Sequence, residues 1–205
     1  MTGEKSFPLD YDSGGAEVRK SYKHRVESGF FDKYYSGDVV LDLGFKGSDN
    51  PEERTVVPHA IGVDMDYPGY DGTRLPFEDG SVDVVSSSHC IEHIWYVQSA
   101  VRDWYRALKV GGFIVCFAPH QYLYEKRKFP PSVYNPDHKR FLTPSKLLAI
   151  FEEALDPNGY RVRHLCDNDR WYNYDLDPHT HAFGCYEIEL VIEKIQKPSW
   201  DLFAN

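Results

Sequence analysis

Val39-Val40-Leu41-Asp42-Leu43-Gly44-Phe45-Lys46-Gly47 reads as a buried strand with one acid inside it, closed by a glycine turn. A near-continuous aliphatic run suits a strand covered on both faces, as in a parallel sheet. Glycine permits a tight turn and lets backbone come close to a ligand. In a doubly wound sheet the ligand crevice lies just beyond such strand ends. An ordinary strand-to-loop turn would explain the run equally well, so its neighbours decide the reading.

Downstream, Ile61-Gly62-Val63-Asp64 is a second apolar strand ending in an acid, about 20 residues after the glycine turn. A carboxylate there can accept two hydrogen bonds from a ribose diol. Ser81-Val82-Asp83-Val84-Val85 begins a third strand. Ile94 to Leu108 places Val97, Val101, Trp104 and Leu108 on one helical face, and Gly111-Gly112 is expected to stop that helix before the apolar strand Phe113 to Ala118. Upstream, Val18, Tyr22, Val26, Phe30 and Tyr34 recur every four residues and predict one helix over 16–35. Residues 1–15, polar and carrying Pro8, Gly14 and Gly15, read as an arm preceding a single domain over 16–205. Thr143-Pro144 supplies an N-cap and first-turn proline for a helix to about Leu155. Two late strands, Tyr160 to Cys166 and Gly184 to Glu193, look like an antiparallel hairpin at one edge. The expected fold is α/β, a Rossmann-like, doubly wound, mostly parallel sheet.

The order of these elements, with Asp71-Gly72-Thr73-Arg74-Leu75-Pro76-Phe77 between the second and third strands, resembles the small class I S-adenosylmethionine-dependent methyltransferases of the type 11 and ubiquinone-biosynthesis kind. The resemblance runs from about Val39 to Ala118. It implies S-adenosylmethionine as cofactor. By position, it assigns Gly44 and Gly47 to the methionine end, Asp64 to the ribose, Asp71 with Gly72 to the adenine, and Ser87 and Ser88 to the neighbourhood of the sulfonium, with Asp42, Lys46 and Met65 counted among the cofactor-binding residues. Two features depart from the family. Lys46 stands where a second glycine is usual, and the stretch from Asp66 to Gly72 is too short and proline-broken for the usual helix. A trimmed sheet edge is expected there.

Bulk properties narrow the partners. The 205 residues carry a formal charge of −9, which disfavours nucleic acid or an anionic membrane surface. No apolar run approaches the length of a membrane-spanning helix, and no signal segment is evident, so a cytoplasmic location is expected. Cys90, Cys116, Cys166 and Cys185 stand far apart and read as buried free thiols.

His120, at the carboxyl end of the strand Val115-Cys116-Phe117-Ala118-Pro119, is the candidate general base, and His138 is its rival. His89-Cys90-Ile91-Glu92-His93 matches the H-x-x-E-H pattern of some zinc proteases. Short patterns recur by chance, however, and His93 is read as ordering a strand-to-helix turn; no metal is expected. Tyr122, Tyr124 and Trp171 offer aromatic faces, and Lys126, Arg127, Lys139 and Arg140 offer positive charge; together with His138 they suit an acidic, hydroxyl-rich acceptor. The segments Pro119-His120 and Asp137-His138 to Thr143-Pro144 resemble bacterial glycan-modifying methyltransferases. That implies O-methylation of a saccharide hydroxyl, an acidic sugar of a surface polysaccharide, either by a free enzyme or by part of a larger polysaccharide-synthesis polypeptide. Two alternatives stay open: methylation of a small aromatic or quinone-like hydroxyl, and a non-catalytic cofactor-binding subunit.

Overall fold

The structure, a computed structural model, describes residues 7–13, 16–45, 53–200 and 202. Its elements in order are α1 (Ala16–Glu27), α2 (Phe30–Tyr34), β1 (Val40–Leu43), β2 (Ile61–Val63), β3 (Val82–Ser88), α3 (Val97–Ala107), β4 (Leu108–Pro119), α4 (Pro144–Ala154), β5 (Tyr160–Asn168) and β6 (Glu187–Lys194). They build a six-stranded sheet in the order β2-β1-β3-β4-β6-β5. The first four strands in that order pair in parallel, and β6 runs antiparallel to both β4 and β5. This is the mostly parallel sheet with an edge hairpin that the sequence predicts.

Alternation along each strand explains why both faces are covered. Leu41, Leu43, Val85, Ile114, Cys116, Leu190 and Ile192 point into one core with the buried face of α3 and α4. Val40, Val84, Val115, Phe117 and Val191 point into the other, against α1 and α2. The α3 face is Val97, Ala100, Val101, Trp104 and Ala107, the spacing of a helical stripe. Thr143 caps α4 by accepting from the Lys146 amide, with Pro144 in the first turn, as expected.

Three local expectations are corrected. The helix over 16–35 is broken at Ser28-Gly29, because Gly29 takes a left-handed φ of 72° that no helix interior allows. The Gly111-Gly112 pair does not end α3. That helix stops at Ala107, and the glycines lie inside β4, where the register to β3 shifts between Val82 and Val84. The segment read as an arm is docked where it is described. Phe7 stacks near Phe31, and the Ser13 hydroxyl donates to the Val56 carbonyl at 2.8 Å. The expected trimmed edge is present: from Asp64 to Ser81 the chain turns without adding a strand, which leaves the three-residue β2 outermost.

Strand order reverses between β1 and β3, since β1 leads outward to β2 and β3 leads the other way to β4. The loops leaving these two strands therefore diverge and open a crevice.

Candidate active site

Gly44 leaves β1 with φ 79°, and its amide donates to the Val63 carbonyl at 2.9 Å, which ties the ends of β1 and β2 together. A Cβ at Gly44 would fall 2.8 Å from the Cβ of Cys90. The turn therefore packs against the loop after β3, and glycine is required twice over. On that loop His89 also has a positive φ, 49°, unusual for a side-chain-bearing residue and a mark of strain held at a site.

Two cavities meet at Gly44, His89, His93 and Asn135. One extends past Asp64, Met65, Tyr70, Gly72 and Cys90. The other extends past Asp42, Ser88, Glu92, Tyr124, His138 and Tyr186. The first joins a strand-end carboxylate to a glycine turn and suits a nucleoside. Asp64 spends one carboxylate oxygen on the Met65 amide at 2.7 Å. In the second cavity the buried Ser88 hydroxyl has no hydrogen-bond partner in the protein, the kind of orphan a bound polar group would satisfy. Ser87, also buried, lies instead beside the Cys90 and Cys116 thiols. Asp42 accepts from the Val56 amide at 2.7 Å, and burial pushes its carboxyl up to about 7.

The structure does not bring several predicted residues to the crevice. Asp71 turns its carboxylate onto the Thr73 and Arg74 amides, at 2.8 and 2.7 Å, and is exposed; its neighbours Tyr70 and Gly72 line the cavity instead. His120 is 9% exposed and lines neither cavity. Its Nδ1 accepts from the Tyr122 and Leu123 amides, which starts the π-helical turn Gln121–Glu125, and its Nε2 faces Asp167 at 3.5 Å. Burial lowers its pKa. It is a capping residue on the far side of the strand end. The predicted cationic platform is dispersed as well. Lys126 donates to the Thr180 carbonyl, Arg127 to that of Pro131, and Arg140 to those of Ile91 and Trp95, while Lys139 pairs with Asp137. Tyr122 and Trp171 are exposed away from the crevice. Only Tyr124 and His138 of the predicted acceptor set line it. Lys46 and Gly47 lie outside the described residues. Of the four thiols, Cys116 and Cys185 are buried, Cys90 is half-buried and Cys166 is exposed.

What sequence reasoning missed is a group around Glu92. This carboxylate is fully buried, and His93 Nε2 and His138 Nε2 both lie 3.7 Å from its Oε1, with His89 Nδ1 at 3.9 Å. Both distal histidines are oriented from behind: His93 Nδ1 meets Asp137 at 3.0 Å, and His138 Nδ1 meets the buried Glu125. Glu187 bonds His89 Nε2 at 3.0 Å; burial opposes protonation of that ring, but the Glu187 and Glu92 carboxylates outweigh it and raise the pKa. The H-x-x-E-H match held the signal, but its meaning depended on His138, 45 residues beyond His93. Glu17, Tyr186 and His181 complete the wall of this second cavity.

A doubly wound sheet with this strand order, an edge hairpin and a crevice at the β1/β3 reversal is the class I methyltransferase fold. Residues 29–116 match the family described as "Methyltransferase domain". Over 125 residues the chain is 29% identical to a protein of Mycolicibacterium smegmatis named "Probable S-adenosylmethionine-dependent methyltransferase", covering 58% of this chain and 47% of that one. Over 104 residues it is 30% identical to the ubiquinone/menaquinone biosynthesis C-methyltransferase of Xylella fastidiosa, covering 51% and 38%. The chain thus spans half or less of the length of these relatives. A crystal structure of an S-adenosylmethionine-dependent methyltransferase from Archaeoglobus fulgidus superposes with a TM-score of 0.56 over 88% of this chain and 95% of that one, at 18% identity. The chain has the class I methyltransferase fold, and over its matched segment it is similar to S-adenosylmethionine-dependent methyltransferases. Among the described residues, no helix is long and apolar enough to cross a membrane.

Proposed function

We propose that this protein transfers a methyl group to a hydroxyl of a neutral, ring-bearing small molecule, a saccharide or a phenol. The observation that carries this reading is the position of His138. Its ring lines the second cavity with Nε2 toward Glu92, while Glu125 holds its other nitrogen. That is the arrangement of an oriented general base.

S-adenosylmethionine supplies a methyl group already activated on a sulfonium. The protein's own work is alignment and proton removal. Asp64 would hold the ribose diol, the Gly44 turn would let the methionine end approach the backbone, and the Ser88 hydroxyl would bond a polar group there. Tyr124 and Tyr186, with ring centroids 4.7 Å apart, give the second cavity an aromatic wall suited to a ring face. His138 Nε2 would take the hydroxyl proton as the oxygen attacks. Glu17, Asp42, Glu53 and Glu92 line this cavity against the single cation Arg54 among the described lining residues, which disfavours an acidic sugar.

The test is incubation with methyl-13C-labelled cofactor and a panel of neutral sugars, polyols and phenols, followed by mass spectrometry and 13C NMR. An O-methyl resonance is expected. A label on carbon, the acceptor atom in the name of the Xylella relative, would overturn the hydroxyl assignment. Cofactor binding without turnover on any acceptor would favour a non-catalytic subunit.

A further inference from the structure

We propose that Glu92, His93 and His138 form a binding site for a divalent transition-metal ion of the zinc type, placed where the two cavities of the crevice meet. The first argument is a buried acid that no lysine or arginine neutralises. Glu92 and Glu125 are buried to 0% and 1% exposure, and among the described residues no lysine or arginine forms an ion pair with either. Both oxygens of Glu92, and one of Glu125, have no hydrogen-bond partner. A buried, bare carboxylate is costly unless a cation stands beside it.

The second argument is donor geometry. Glu92, His93 and His138 each offer a donor atom within 4.8 Å of the other two, with the two imidazoles nearly perpendicular. Bonds of about 2.0–2.2 Å from a tetrahedral zinc ion to such donors set the ligand atoms about 3.4 Å apart. The observed 3.7 Å from Glu92 to each imidazole needs a few tenths of an ångström of closure, and the two imidazole donors, within 4.8 Å of each other, need at most about 1.4 Å, within reach of side-chain rotation. The third argument is the outer layer. Each histidine presents Nε2 to the centre and has Nδ1 on a carboxylate, Asp137 for His93 and Glu125 for His138, the support that metal-bound imidazoles ordinarily have.

Two imidazoles and one carboxylate leave a fourth position open toward the cavity. A hydroxyl oxygen of the acceptor would ligate there. With the ion bound His138 Nε2 is a ligand, so the ion would acidify the hydroxyl and its proton would leave to water, and the base role given to His138 above is that of the metal-free protein. Ligation by the acceptor rests on the hydroxyl reading above; the metal site itself does not.

A second group, His164, Cys166 and Glu189, also gathers three donors, but its members already bond one another and Arg25, so the test removes its thiol. The Cys166→Ser protein is stripped with chelator and titrated with Co2+ and then Zn2+, followed by calorimetry and visible absorption. One equivalent of Co2+ per chain is expected, with d–d bands, displaced by Zn2+. His93→Ala and His138→Ala in the same background should lose that binding, and Glu125→Gln should weaken it by about 10–100-fold. Far-ultraviolet circular dichroism checks that each variant is folded; His93, the more exposed ligand, decides the matter if the His138 variant is not. Absence of binding in the Cys166→Ser protein, or undiminished binding in a folded His93→Ala variant, overturns the site. Affinity for S-adenosylmethionine is measured on the same samples. Metal binding without cofactor binding would leave the site standing and remove the methyltransferase reading; the reverse would remove only the site.

Discussion

The guanidinium of Arg25 on α1 donates to the carboxylate of Glu187 on β6 at 2.8 Å, and each side chain is 1% exposed. Arg25 also bonds Glu189 and lies over the Phe117 ring, while the other oxygen of Glu187 reaches His89 in the crevice. Arg25 therefore fastens the amino-terminal helix to the antiparallel strand and, through Glu187, steadies the strained turn after β3. Breaking a buried pair leaves a bare charge behind. Arg25→Met should cost about 3–5 kcal/mol in urea unfolding, and the Arg25→Met/Glu187→Gln double variant should recover part of that loss. A loss below 1 kcal/mol would show that water or another cation already compensates Glu187.

Asp64 is expected to hold the ribose diol. Hydrogen bonds to a charged group contribute about 1.5–3 kcal/mol, so Asp64→Ala should weaken S-adenosylmethionine by roughly 10-fold or more in calorimetry. Unchanged affinity would move the nucleoside out of the Asp64 cavity.

The two candidate histidines should separate cleanly. His120 accepts two backbone amides at the start of a turn, so His120→Ala should resemble loss of a helix cap, about 0.5–2 kcal/mol of stability with turnover near wild type. His138→Ala should lower turnover by about 10²–10⁴-fold at saturating cofactor. Equal loss in both would return His120 to the mechanism.

Asp42 titrates against the fold. Its carboxyl rises from 3.8 to about 7, mainly through burial, so the folded protein keeps a proton that the unfolded chain releases. The stability from this group is fully present below about pH 4 and is lost as pH rises through about 7. Asp42→Asn keeps an acceptor for the Val56 amide and removes the proton equilibrium. Melting temperature followed from pH 4 to 8 should fall less in Asp42→Asn than in wild type; parallel curves would refute the shift.

The strands were legible because a strand buried on both faces must be largely apolar; Phe113 to Ala118 is so throughout, and Val39 to Leu43 apart from the single acid Asp42. The Thr143-Pro144 cap was legible because it is local chemistry. The break at Gly29 was not, since four-residue spacing continues across it in Val26, Phe30 and Tyr34. Nor was the centre around Glu92. His138 lies in a polar segment without periodicity, and no local rule says that this segment folds back over the loop after β3. His120 misled for the same reason: its place at a strand end was right, but the side chain turns to cap Tyr122 and Leu123.

The outer margins of the sheet carry a consequence of their own. Among the described residues β2 pairs with β1 alone and β5 with β6 alone, so each leaves a row of backbone groups on which a strand from another molecule could template. β2 is blunted by shortness, with three residues offering too few groups for a stable addition. β5 has nine residues and is protected differently, by an irregularity between Val162 and His164 and by the cationic Arg161 and Arg163. Lengthening β2 at its amino end, or replacing those arginines with apolar β-formers, would turn a margin into a seed for fibril growth.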